Sequence, residues 1–250
     1  MKRIHIVALL LVFGCSTSEI QTKTPQKSTT THAQLNISDD KIKRLPTWCK
    51  EGISVACIDY LHVNPDVAHA DINDSKTLLD YCNDGYGSAC YYLSAEQPKY
   101  KTNACKLAEM RSCPKTIGKL YQTSPISECT RADYEKIAPL QRNQIPNKNL
   151  NKTRQEQAEL IMYCYYRKLD SKTEYNRALQ GNVKILFSMN ETGHFHSPQE
   201  VCSSFYDQEI SQCIAQALDL LYIQDFDNSE YKSNKNQQFV KSVVFSNHSE

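Results

Sequence analysis

The hydrophobic positions of this chain change their period from one stretch to the next, and each change marks an element. Residues 6–13 form an unbroken apolar run behind Lys2 and Arg3, closed by Gly14 and Cys15. The run is too short for a permanent membrane helix, which needs about 20 apolar residues. Residues 16 to about 40 are rich in Ser, Thr, Gln and Lys, too polar to offset the entropy of ordering, and predict a flexible tether. Residues 153–169 place Ala158, Ile161, Met162, Tyr165 and Leu169 on one face at helical spacing. After Gly181 the period falls to two: Val183, Ile185 and Phe187 alternate with Asn182, Lys184, Leu186 and Ser188, as in a strand. A turn over 190–193, ending in Gly193, leads to a second strand over 194–201 that Pro198 ends or confines to a sheet edge. Asp207 can cap a helix to about Leu221, with Ile210, Ile214, Ala217, Leu218 and Leu221 as its buried face. Residues 239–245 alternate again, as a third strand. Helix, strand, strand, helix, strand predicts a small α+β unit, a helix packed on an antiparallel sheet. Ahead of it, Pro125, Pro139, Pro146, Asn147, Asn149 and Asn151 mark a linker, with a short helix over 132–140 and a boundary near Asn149.

Composition adds the compartment. A net charge of +1 makes no strong case for nucleic acid or acidic substrates, and 7 Gly with 1 Trp argue against a glycine-rich barrel. The basic start, apolar run and small residue have the three-part form of a secretory signal. Eleven cysteines in an exported chain should oxidise; setting Cys15 aside leaves ten, enough for up to five disulfides. Cys49 and Cys57, Cys82 and Cys90, and Cys105 and Cys113 are each eight positions apart. Eight residues of straight helix rise about 12 Å, whereas a disulfide holds its α-carbons roughly 4.4–6.8 Å apart. If each pair is bonded, the chain must reverse between its cysteines. Gly52 and Gly85 stand where a left-handed residue ends a helix. The expected unit is a helix, a tight turn and an antiparallel helix, clamped at the turn, each clamp contributing about 2–3 kcal/mol. Zinc suits these cysteines less, because its ligand pairs usually sit two to four residues apart.

Three stretches resemble known families. Cys15 follows a small residue, with Val12 three places before it, and this resembles the lipobox of bacterial lipoproteins. The resemblance implies cleavage after residue 14 and acylation of the Cys15 thiol and new amino group. Ser16, where an Asp signals inner-membrane retention, implies the outer membrane, facing the periplasm. Cys49, Gly52, Ala56 and Cys57, then Cys82, Gly85, Ala89, Cys90 and Leu93, resemble the disulfide-stapled Sel1-like repeats of cysteine-rich secreted bacterial proteins. The third copy departs, with Leu107 and Ala108 where Gly belongs and Ser112 in place of Ala, although residues 117–121 resemble the family's second helix. Repeat starts fall 33 and then 23 residues apart, against a regular family period. This resemblance implies stacked helical hairpins with a concave, protein-binding face.

The paired Cys164 and Tyr165, then Gly181, Val183, Phe187, Gly193, Ser203, Ser204, Cys213 and Phe226, resemble in order and spacing the TonB C-terminal domain. The likeness is greatest to its cysteine-bearing relatives from gliding and social bacteria, and covers residues 155–226 with 239–245 as the last strand. It implies that Cys164 pairs with Cys213, which leaves Cys129 and Cys202 as partners; the residues by themselves leave a Cys202–Cys213 pairing open. The chain lacks the inner-membrane helix and Pro-rich spacer of TonB proteins, so docking is expected rather than energy transduction.

The predicted fold class is thus α-helical hairpin repeats, Sel1/TPR-like, followed by a small TonB C-terminal-like α+β domain. The expected segments are a signal peptide over 1–14, a tether over 15–44, repeats over 45–124, a linker over 125–152 and the α+β domain over 153–250. His194 and His196 would share one strand face, but no third ligand is evident and no metal is expected. Asp71, Asp74, Asp80, Asp225 and Asp227 lack an EF-hand frame. Ser203 and Ser204 lack a nucleophile context, and no Ser-x-x-Lys accompanied by Ser-Asp-Asn and Lys-Thr-Gly motifs supports a serine enzyme. The expectation is therefore a non-enzymatic, lipid-anchored envelope protein without cofactor, docking to other envelope proteins. Its site residues are the lipidated Cys15 and the cystines. An enzyme acting on cell wall or beta-lactams, or a secreted toxin with Cys15 unacylated, is the alternative.

Overall fold

Each of the three short cysteine pairs closes over one and the same turn. In the computed structural model, residues 38–66, 72, 74–114, 129–140, 150–169, 179–223 and 238–245 are described. Cys15, the signal segment, Asp71, residues 117–121, Asn149 and residues 225–227 lie outside them. Helices α1 (Asp39–Lys50) and α2 (Ser54–Val63) flank the first turn, and α3 (Leu78–Asn83) and α4 (Gly87–Leu93) flank the second. In the third, α5 (Lys99–Lys106) leads into a single 3-10 turn, Met110–Ser112.

The residue three places after the first cysteine has a positive φ in every case: 100° at Gly52, 96° at Gly85 and 63° at Ala108. Its amide donates to the carbonyl of that cysteine, and the next amide donates to the carbonyl just before it. These bonds run Gly52 to Cys49 and Ile53 to Trp48, Gly85 to Cys82 and Tyr86 to Tyr81, and Ala108 to Cys105 and Glu109 to Ala104. The reversal brings the α-carbons of Cys49 and Cys57 to 4.7 Å, and those of the other two pairs to 4.8 Å, and all three disulfides form. The third copy, which departs in sequence, therefore keeps the turn and places an alanine in it. A β-carbon in the left-handed region costs about 1 kcal/mol or more. Ala108→Gly is accordingly expected to add about 1 kcal/mol of unfolding free energy, read as a higher denaturant midpoint at unchanged slope.

Helix α1 begins at Asp39, inside the stretch read as tether, and runs through Pro46. Proline removes one helical hydrogen bond, but Leu45, Trp48 and Cys49 are buried on either side of it and hold the helix against the core. Within the expected linker, residues 129–140 are built into the fold, and the short helix expected over 132–140 is present. Thr130 and Asp133 form a capping box that starts α6 (Arg131–Ile137), Ile137 is wholly buried, and Cys129 is bonded to Cys202.

The second half follows the expected order: α7 (Leu150–Tyr166), β1 (Gly181–Met189), β2 (Phe195–Ser203), α8 (Gln208–Asp219) and β3 (Gln238–Phe245). Strand β1 lies between β2 and β3, antiparallel to both, so β2 with its Pro198 is at an edge. Val183, Ile185, Phe187 and Met189 are buried on one face, with Phe239 and Val243 opposite Phe187 and Val183. On the other face Lys184 lies 4.0 Å from the Tyr134 ring centroid, which sets α6 over the sheet. The turn at 190–193 forms as expected, with Gly193 at φ 79°. Asp207 caps α8, and all of the apolar face expected of that helix is buried.

The face expected of α7 is a partial miss. Ala158 is exposed, whereas Tyr163 and Cys164 are buried together with Ile161 and Tyr165. The reason is tertiary: α7 is covered from two sides. Its Tyr163 ring lies 4.9 Å from Trp48 of α1, while Cys164 is bonded to Cys213 of α8. Hairpins and sheet module accordingly share one continuous hydrophobic core. Among the described residues no helix is long and apolar enough to cross a membrane.

Candidate functional site

At the seam between the hairpins and the α+β module lies a cluster of charged side chains closed off from solvent. Its centre is Arg167, just past the end of α7, whose side chain, like that of Asp59 on α2, is 0% exposed. The guanidinium donates two bonds to Asp59, from Nη2 at 2.6 Å and Nε at 2.8 Å, and one from Nη1 to Glu209 at 3.2 Å. Tyr92 of α4 and Tyr163 of α7 donate their hydroxyls to the two oxygens of Asp59, at 2.9 and 2.8 Å. Burial pushes the Asp59 carboxyl up, but the Arg167 charge and these donors outweigh it and hold the group below the ordinary range. Burial, with the Asp59 charge, keeps both phenols well above theirs.

Lys168 continues the cluster. Its Nζ lies 2.9 Å from Glu109, 2.9 Å from Glu209 and 2.8 Å from Asp207. Glu109, in the third cysteine turn, also takes a two-pronged contact from Arg111, at 2.7 and 2.9 Å. Glu209 serves a further purpose: its Oε1 accepts from the Ser88 amide and its Oε2 from the Ser88 hydroxyl, both at 2.7 Å. A residue of α8 thereby satisfies a donor in the first turn of α4, a position whose amides have no partner within their own helix. Burial raises the carboxyls of Glu109 and Glu209, yet their cationic neighbours leave both below the ordinary range.

Nothing in the sequence nearby announces this cluster. Arg167 and Lys168 follow two tyrosines at a helix end, where basic residues usually face water. Their partners lie 108 and 42 positions away for Arg167, and 59 away for one partner of Lys168. The capping boxes at Thr77 and Asp80 and at Thr130 and Asp133 did carry a local signal, a hydroxyl followed three residues later by an acid.

The cystines are all five formed, Cys129 with Cys202 and Cys164 with Cys213, so the open alternative of Cys202 with Cys213 does not occur. The Sγ atoms of Cys49 and Cys57 and the carboxylate of Asp74 lie within 4.8 Å of one another, but the two sulfurs are bonded to each other and offer no thiolate to a metal. His194 stacks on Tyr222 with ring centroids 5.2 Å apart, and His196 Nδ1 lies 3.3 Å from Ser197 Oγ; no third ligand joins them among the described residues. Ser204 Oγ accepts from the Asn182 amide and Ser203 Oγ from the Phe205 amide, roles that shape the chain after β2. Asp74 accepts from Tyr81, and Asp80 belongs to the cap of α3.

No protein-family model matches this chain, and neither a curated protein nor a solved structure does.

Chemically, the cluster is a junction. Its charges face one another and a backbone amide of α4, and they come from elements that meet at the seam. Such a set ties the elements of the seam to one another.

Proposed function

We propose that this protein is a lipid-anchored, non-enzymatic component of a bacterial cell envelope, acting in the periplasm as a docking module for other envelope proteins. The supporting observation is the cross-linked body: three disulfides clamp the hairpin turns, two more hold α6 to β2 and α7 to α8, and the buried ionic seam ties the hairpins to the α+β unit. Cystines at this density suit an oxidising compartment. The apolar run closed by Cys15 supplies the export signal and the acyl anchor in this reading. Its stapled hairpins are degenerate Sel1-like repeats and its sheet module a TonB C-terminal-like domain. The outer membrane, facing the periplasm, is where Ser16 directs it.

Cys15→Ser is expected to abolish palmitate labelling and release the protein from membranes into the soluble envelope fraction. An unlabelled wild-type chain overturns the anchor. Nitrocefin turnover by the oxidised mature protein, lost on reduction, would replace docking with the enzymatic alternative.

A further inference from the structure

The seam carries unequal charge. Among the described residues, Asp59, Glu109, Asp207 and Glu209 face Arg111, Arg167 and Lys168, and all of these side chains are buried. An uncompensated charge in such surroundings is costly, and the usual relief is to bind a proton. The hydrogen bonds indicate where it goes. Asp59 holds the Arg167 fork and two phenols; Glu109 holds the Arg111 fork and Lys168; Glu209 holds Arg167, Lys168 and both donors of Ser88. Asp207 has least. Its Oδ1 accepts the Glu209 amide, and its Oδ2 meets Lys168 at 2.8 Å as an ionic contact without hydrogen-bond alignment.

We propose that the seam is a proton-operated latch: in mildly acidic surroundings Asp207 takes up one proton, the cluster becomes neutral, and the hairpins close more tightly on the α+β module. The proposal concerns the fold and is independent of the docking reading. The groups facing Asp207 are Lys168 and Arg167 beyond α7, Glu109 and Arg111 from the turn after α5, and Glu209 on its own helix, with Asp59 of α2 behind Arg167. Burial pushes the Asp207 carboxyl up to about 6; Lys168 opposes the rise, and Glu209 and Glu109 add to it. A folded value above the unfolded one contributes stability that is complete below about pH 4 and is lost as pH rises through about 6. The other three carboxyls act in the opposite direction and only at lower pH, because their folded values lie below the ordinary range.

The test is a carboxyl 13C titration of the oxidised mature protein, with unfolding equilibria measured beside it. Aspartate and glutamate carboxyl carbons are separated through their attached methylene groups. One aspartate carboxyl is expected to titrate near pH 6 and to be missing in Asp207→Asn, which retains the Oδ1 cap. From about pH 7.5 to about pH 5 the unfolding constant of the wild type should fall about tenfold relative to that variant. Exchange of the Ser88 amide, corrected for its intrinsic pH dependence, should slow across the same range. A carboxyl of Asp207 still ionised at pH 5, or the proton found on Glu109 or Glu209, overturns the assignment. Unchanged Ser88 protection overturns the latch. If Asp207→Asn does not fold, the wild-type titration and the Ser88 exchange decide alone.

Discussion

Arg167→Met should cost about 3–5 kcal/mol of unfolding free energy at neutral pH, the range seen when one partner of a buried ion pair is removed. The methionine fills similar space, so the loss is chiefly electrostatic. Asp59 keeps its two phenol donors but has no cation, and Glu209 loses one of its donors. The pH dependence identifies the cause. In the wild type the Asp59 carboxyl lies below the ordinary range, so its contribution is present above about pH 4 and disappears as pH falls through the folded value. Without Arg167, burial raises Asp59 with only the two phenol donors opposing it, so a proton relieves the variant. Its deficit against the wild type should therefore shrink as pH falls from 7 towards 5. Denaturant titrations at several pH values check this; a deficit that stays constant would mean that lost packing is responsible. Adding Asp59→Asn to Arg167→Met should restore part of the stability at pH 7, because the orphaned charge is then gone.

Replacing Cys164 and Cys213 together by alanine should be more damaging than removing any one of the three eight-residue clamps. The bond joins α7 to α8 across a separation of 49 residues, and the chain-entropy relation gives about 4 kcal/mol for a loop of that size. The eight-residue clamps close much smaller loops, about 2.5 kcal/mol each by the same relation. Cys82→Ala with Cys90→Ala is the matched control: it removes a buried cystine of the same chemistry from a short loop. Equal losses from the two double variants would show that local packing, rather than chain entropy, sets the contribution.

Much of the architecture was legible because its causes are local. The three eight-residue spacings demanded a reversal, and Gly52 and Gly85 marked where it falls. The alternation from Val183 to Phe187, the turn at Gly193, the cap at Asp207 and the apolar face of α8 all depend on neighbours within a few residues, and all are found in place. Ala108 shows where local reading weakens. The sequence there lacks the glycine, but the disulfide and the two turn hydrogen bonds impose the same left-handed backbone.

By itself, then, the sequence determined the hairpin turns, the strand periods, the helix caps and the cysteine supply. Only the tertiary structure decided that α7 is covered from two sides, that α6 closes over the sheet, and that Arg167 and Lys168 turn inward rather than towards water. The physical reason is distance along the chain. A capping box or an alternating strand is complete within a handful of positions, whereas a buried guanidinium is stable only where carboxylates from remote elements converge on it.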